Sequence, residues 1–252
     1  MKILVIGRDE MSANKGFTLV EIAIVMIIIG LLVGGIFGGV RLLDNARVLR
    51  TINDLKSAET AALTFKTSYG RPPGDVRNPS LRLQNCTTPP CSNSGNGNGI
   101  VGAVGGIALA MFPNITNENF AFWHHLSAAD LLNMSIKNST TLAWGEGEPK
   151  TNMGIGGGYR VSDVMADPVN SGICPVKNFR TAIWGVEVTG STPFKCRVLG
   201  QIDQKIDDGQ TGTGEFNSWC GDTLAPSFCS VDYNTQNLTE TTWFYLYDIK
   251  GL

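Results

Sequence analysis

A single carboxylate, Glu21, lies inside an otherwise apolar run of about two dozen residues, Phe17 to Val40, and the first charge after it is Arg41. A helix needs ~20 apolar residues to cross a bilayer, so the run is long enough to span. Twelve Leu, Ile, Val or Phe residues follow Glu21 within it. At roughly −0.3 to −0.6 kcal/mol each, they favour insertion by about −4 to −7 kcal/mol. A carboxylate at the bilayer centre costs ~2.5–3.5 kcal/mol on the same scale. Glu21 sits near the end of the run, where that cost is smaller, so the segment is expected to insert. An acid so placed either rests at the interface or marks a site that needs an opposite charge.

The residues around it decide between these. Gly16, Phe17, Thr18, Leu19 and Glu21 closely resemble the prepilin cleavage motif of type IV pilins and type II secretion pseudopilins. The resemblance implies a short polar, basic leader that a prepilin peptidase removes by cutting between Gly16 and Phe17. It implies methylation of the new N-terminus on Phe17, with Glu21 at the fifth mature position. In that family the Glu of an incoming subunit meets the N-terminal amine of a neighbour. Two opposite charges attract strongly at low dielectric, and the pair would set the register of one subunit on the next. Residues 1–16 carry Lys2, Arg8 and Lys15 against Asp9 and Glu10, and positive charge before the span favours a cytoplasmic N-terminus. The cut precedes the apolar run, so the span survives processing, unlike that of an ordinary secretory signal. Met11 to Gly16 is by itself a complete short leader, so translation from Met11 is an alternative to Met1. Met1-Lys2-Ile3-Leu4-Val5-Ile6-Gly7 reads as a buried strand of a nucleotide fold, but no GxGxxG follows.

The resemblance covers only about the first 55 residues. Within them Gly30, Gly34 and Gly38 recur every four residues, with Gly35 and Gly39 a second pair. Small residues at this spacing let membrane helices approach closely, and they are candidates for helix packing in a filament core. Major type IVa pilins commonly carry Pro near the twenty-second mature position; Gly38 stands there instead, a departure from the major subunits.

Other residues that carry chemistry are few. His124 and His125 are the only histidines; adjacent residues of a helix point to different sides, so structural or surface roles are expected rather than one shared metal. Gly156-Gly157-Gly158 has no Lys-Ser/Thr ending and no strand before it, and no GxSxG occurs. Asp203, Asp207 and Asp208 with Gly209 offer oxygen ligands for Ca²⁺, and the resemblance adds that some pseudopilins bind calcium in a C-terminal loop. The spacing is not that of an EF-hand, so the expectation is no cofactor, with calcium as the alternative. Six cysteines, Cys86, Cys91, Cys174, Cys196, Cys220 and Cys229, all follow the span, where an N-in start places them outside the cytoplasm. An even count there reads as disulfides, in any of fifteen pairings. Neighbour pairing, 86–91, 174–196 and 220–229, is the expectation. Zinc is disfavoured because no CxxC pair exists.

The elements that position these residues follow from pattern. From Arg41 to Tyr69 the helix is expected to continue as an amphipathic one. Leu42, Ala46, Leu49, Ile52, Leu55, Ala58, Ala62, Phe65 and Tyr69 recur at the helical period, with Arg47, Arg50, Asp54, Lys56 and Glu59 mostly opposite. A helix from Phe17 to Tyr69 is ~80 Å long at ~1.5 Å per residue. Gly70-Arg71-Pro72-Pro73-Gly74-Asp75 stops it. Residues 76–118 read as loop. Ile100 to Met111 is apolar but, at about twelve Gly-rich residues, is read as a buried segment rather than a second span. Residues 119–137 read as a helix, Arg180 to Val188 as a strand, and Trp243 to Ile249 as a closing strand. Asp167-Pro168 and the run Gly154 to Gly158 read as loops. Thr192-Pro193 reads as a helix cap, leading into a stripe of Val198, Ile202 and Ile206 that ends at Asp207-Asp208-Gly209.

The expected fold class is α+β: a long N-terminal helix, transmembrane in its first half and amphipathic in its second, packed on an irregular disulfide-bearing domain with antiparallel strands. The expected divisions are a leader at 1–16, a transmembrane and filament-core helix at 17–40, its amphipathic continuation at 41–69, and an extracytoplasmic domain at 70–252. The net charge of −2, with no basic patch, argues against a nucleic-acid partner. Expected partners are prepilin peptidase, other pilin or pseudopilin subunits, the inner-membrane assembly platform and membrane lipid. The expected role is structural, not enzymatic: a minor subunit held single-pass in a bacterial inner membrane, then assembled into a pilus. The alternatives are a type II secretion pseudopilin and, from another class, a membrane-anchored enzyme or ligand-binding domain.

Overall fold

A computed structural model describes residues 17–102, 117–151, 157–163, 181–186, 196–210, 213–220 and 242–252. By its contacts the chain divides into two units, Met1–Leu43 and Asp44–Leu252. Helix α1 runs Leu19–Tyr69 and belongs in part to each.

In the first unit α1 is apolar and uncovered. The segment Leu19–Ile36 is long and apolar enough to cross a membrane, and none of it is buried. A Cβ added at Gly30, Gly34, Gly35 or Gly39 would meet nothing within 4 Å. The glycine face is therefore open to a neighbour in this chain's own structure. Gly38 lies in the helix.

In the second unit the rest of α1 forms one wall of the core. Val48, Thr51, Ile52, Leu55, Ala58, Ala61, Ala62 and Phe65 are buried, a stripe at three- and four-residue spacing. The expected stripe is corrected at its start, because Leu42, Ala46 and Leu49 are exposed and the inward face passes through Val48 and Thr51 instead. The charged side is corrected too. Asp54 and Glu59 are half-buried and meet tyrosines: Tyr159 Oη donates to Asp54 Oδ2 (3.4 Å) and Tyr247 Oη to Glu59 Oε2 (2.6 Å). The helix ends at Tyr69 because Gly70 turns left-handed, at φ 73°, a conformation that costs glycine little. Lys66 Nζ donates to the Gly251 carbonyl (2.6 Å), tying the last turn to residues near the C-terminus.

A four-stranded antiparallel sheet faces the helix across the same core, in the order β1-β2-β4-β3. Its strands are β1, Gly158–Asp163; β2, Thr181–Val186; β3, Phe216–Cys220; and β4, Thr242–Asp248. Tyr247 of β4 pairs with Ile183 on one side and Phe216 on the other, and all three are buried. Helix α2, Glu118–Ala128, packs near β1, and helix α3, Cys196–Ile206, near β3. Leu199 and Ile202 of α3 are buried and Val198 and Ile206 partly so, as the stripe predicts.

Strands β1 and β3 add to the two strands that the pattern marks. Gly158, expected in a loop, opens β1 in register with Val186. A Cβ there would collide with Trp144 and the Pro149 carbonyl, so a side chain is excluded by close approach. The expected helix over 119–137 is shorter, because Asp130 takes φ 55° and the Leu131 N–H bonds back to the Leu126 carbonyl (3.0 Å). Leu131, Leu132 and Met134 still pack on the core beyond that turn. Cys86 and Cys91 form a disulfide, as expected. Cys174 and Cys229 fall outside the described residues, so the pairs 174–196 and 220–229 do as well. The Thr192-Pro193 cap, Asp167-Pro168 and all of Ile100–Met111 except Ile100, Val101 and Gly102 also fall outside; Val101 is buried.

Candidate functional site

The site at the head of α1 is built by two side chains. Thr18 precedes the helix, and its backbone N–H and its hydroxyl both donate to Glu21 Oε2, each at 2.8 Å. The Glu21 N–H points back at Thr18 Oγ1 (3.3 Å). This is a capping box, in which the first residue and the acid three places on satisfy each other's unpaired groups. A helix leaves its first N–H groups without internal partners, and in hydrocarbon no water replaces them. Thr18 and Glu21 thus give the helix a defined start, one that would also hold in an apolar setting. The acid also lies in the first turn, where the helix dipole favours negative charge.

The same geometry fixes where the charge stands. Glu21 is turned back along the chain, toward Thr18 and hence toward Phe17, a residue that is 83 % exposed. An amine released at Phe17 would stand next to the residue that already holds this carboxylate. Gly16 lies outside the described residues. The pattern Thr-x-x-Glu before an apolar run is the legible signature of a capping box; read only as a membrane acid, Glu21 hid it.

The three aspartates converge. One carboxylate oxygen of each of Asp203, Asp207 and Asp208 lies within 4.8 Å of the others. Oxygen donors of this kind suit calcium, and each carboxylate also holds its own loop. The Gly209 N–H donates to Asp203 Oδ1 (3.3 Å), and the Glu215 and Phe216 N–H groups to Asp207 Oδ2. The Gln210 N–H and the Thr213 hydroxyl donate to Asp208 (2.9 and 2.7 Å). These bonds shape the turn that carries α3 into β3.

Both histidines are buried, which removes the surface alternative. His125 Nδ1 accepts the Gly74 N–H (2.9 Å), and Nε2 faces the Cys91 carbonyl at 2.9 Å. The neutral ring, protonated on Nε2, satisfies both contacts. Burial lowers the pKa of each histidine to about 4, partly offset by hydrogen bonds to Cys91 and Gly147. His125 thereby joins the turn after α1 to the disulfide loop.

A buried ion pair joins Arg160 to Glu148, twelve residues apart, and no local pattern signals it. Arg160 Nε and Nη2 donate to the two oxygens of Glu148 (2.8 and 3.1 Å), and the guanidinium lies 4.7 Å above the Trp144 ring. Burial raises the pKa of Glu148, while Arg160 pulls it down.

A protein-family model described as Prokaryotic N-terminal methylation motif matches residues 11–37. The match begins at Met11 and contains Gly16, Phe17, Thr18 and Glu21. Comparisons with curated proteins and with solved structures gave no match.

Proposed function

We propose, from the premise that residues 11–37 carry a prepilin-type methylation motif, the hallmark of type IV pilins and pseudopilins, that this chain is a minor subunit of a type IV pilus-like filament. The motif supports the coarser statement directly: a pilin-like or pseudopilin substrate of prepilin peptidase. An N-terminal helix that is apolar, unburied and long enough to span fits membrane anchoring before assembly. The observation that supports the reading is the capping box, which holds the Glu21 carboxylate against Thr18 at the head of that helix. In the proposed mechanism the peptidase cuts between Gly16 and Phe17 and the amine of Phe17 is methylated. Glu21 of an incoming subunit then meets the amine of a neighbour, and the face of Gly30, Gly34 and Gly38 packs against other helices. The Cys86–Cys91 domain lies outside the cytoplasm, where its disulfide is stable.

Two substitutions separate charge from capping. Glu21→Gln keeps a capping box, since glutamine serves at that position, and removes the charge; Glu21→Ala removes both. Both variants are expected to be cleaved. Both should enter the filament fraction less by about tenfold or more, the worth of one hydrogen bond to a charged group. Quantitative immunoblotting of sheared filaments against membranes reads this. Wild-type incorporation of Glu21→Gln would remove the charge from the mechanism. The pseudopilin alternative shares every one of these steps and differs in the machine that takes up the subunit.

A further inference from the structure

The chain contains two Asn-Gly steps, Asn96-Gly97 and Asn98-Gly99, in one loop. The amide that follows each asparagine is held by the same carboxylate. The Gly97 N–H donates to Asp75 Oδ1 (2.5 Å) and the Gly99 N–H to Asp75 Oδ2 (2.7 Å), while the Asn98 N–H also reaches Oδ1 (3.1 Å). Asp75 is fully buried, whereas Asn96 and Asn98 are exposed. The rest of the loop is clamped from both sides. Glu118 accepts the Asn96 N–H (2.7 Å), Arg77 donates to the Asn96 carbonyl from Nε (2.8 Å) and Nη2, and Arg71 donates to the Gly97 carbonyl (2.6 Å).

Asn-Gly steps are where an asparagine side chain is most open to attack by its own backbone, because glycine offers no steric shield. The nitrogen of the following residue gives up its proton and bonds to the side-chain carbon, and ammonia leaves. Water then opens the cyclic imide to aspartate or isoaspartate, with no change of oxidation state. The attacking nitrogen must lose its N–H proton and swing toward the side chain. In this loop both attacking nitrogens are turned the other way, with their protons on a negative charge.

We propose that Asn96 and Asn98 form a latent deamidation site that the Asp75 carboxylate holds closed in the folded domain. Release of the loop exposes both steps together. The product does not return, since isoaspartate inserts an extra carbon in the main chain and moves the amides out of register with Asp75. New negative charge also stands beside Asp75 and Glu118.

The test follows the full chain in detergent, at mildly alkaline pH, by peptide mass spectrometry of the asparagine-to-aspartate mass change at residues 93–102. In the native protein both steps should deamidate at least about tenfold more slowly than in urea, the factor that one hydrogen bond to a charged group is worth. Amide hydrogen exchange on the same native sample needs no variant, and Gly97 and Gly99 should be protected well beyond exposed loop amides. Asp75→Asn, where it folds, should deamidate at a rate close to that in urea. Equal rates in native and unfolded protein would overturn the proposal. So would unprotected Gly97 and Gly99 amides, or a folded Asp75→Asn that stays as resistant as the wild type.

Discussion

Replacing Arg160 by alanine is expected to destabilise the folded domain by about 3–5 kcal/mol, the range for breaking a buried ion pair from one side. The side chains of Arg160 and Glu148 are only 9 % and 3 % exposed. Their fork therefore operates where an unpaired charge is costly, unlike a surface pair worth ~0–1 kcal/mol. Removal of Arg160 leaves a buried carboxylate whose pKa burial already raises and which Arg160 alone was pulling down. The loss should therefore depend on pH. A carboxyl with a raised folded pKa contributes stability at low pH and loses it as pH rises through that pKa, so Arg160→Ala should be least damaging in acid. Arg160→Met combined with Glu148→Gln removes both charges and should recover much of the loss, because apolar or neutral replacements of buried pairs are often tolerated. Urea unfolding of the three chains decides it. A loss for Arg160→Ala below about 1 kcal/mol would place the pair among surface bridges in energetic terms.

Acid should weaken the wild-type domain through its two buried histidines. Each is held neutral, with a folded pKa of about 4 against an ordinary 6.5. Between those values the unfolded chain binds more protons than the folded one, so stability is full above 6.5 and falls as pH drops toward 4. The gap is worth roughly 3 kcal/mol per histidine. Protonation of His125 on Nδ1 also removes the acceptor for the Gly74 N–H. Glu118 and Glu148, both with pKa values raised by burial, oppose this trend, since their protonation favours the folded state. The informative quantity is thus the difference between wild type and His125→Gln, which keeps an acceptor for Gly74 and a donor for Cys91 but does not titrate. The variant should show about half of the histidine-driven slope between those pH values. Identical slopes in thermal unfolding across that range would show that His125 contributes none of it.

Much of the fold is legible because it is written in local pattern. The end of α1 at Gly70, the strand at Thr181–Val186, the stripe of α3 and the aromatic closing strand all follow from period and turn chemistry. The head of α1 is equally local: Thr18 and Glu21 are three residues apart, and the methylation motif ends within the apolar run. What escapes is what distant partners decide. Asp54 and Glu59 look solvent-facing in sequence, yet each meets a tyrosine 105 or 188 residues away. Strand β1 does alternate, with Tyr159 and Val161 on one face and Arg160 and Ser162 on the other, but it is six residues long and starts on the glycine run that reads as a loop. Strand β3 hides because Asn217 and Ser218 are buried polar residues in its middle. Helix α2 is overextended by reading periodicity through Asp130, whose left-handed backbone ends it while Leu131 and Leu132 continue into the core.

The cysteines divide the same way. Cys86 and Cys91 are five residues apart and bonded, so proximity in sequence suffices. Asp203, Asp207 and Asp208 are near neighbours too, and their convergence is the expected result of one turn after α3. The Asn-Gly loop shows the reverse. Its composition reads only as loop, yet it is ordered by more distant residues, Asp75, Glu118, Arg71 and Arg77.

The proposed function requires residues 11–37 to act as a processing and assembly signal rather than as a plain anchor. The direct measurement is the N-terminus of the mature protein, by mass spectrometry of the membrane fraction from cells with and without prepilin peptidase. The expected result is a chain beginning at a methylated Phe17, with an uncut leader where the peptidase is missing. A leader retained in the presence of the peptidase, or a cut anywhere other than between Gly16 and Phe17, would contradict it and leave an anchored domain whose function lies elsewhere.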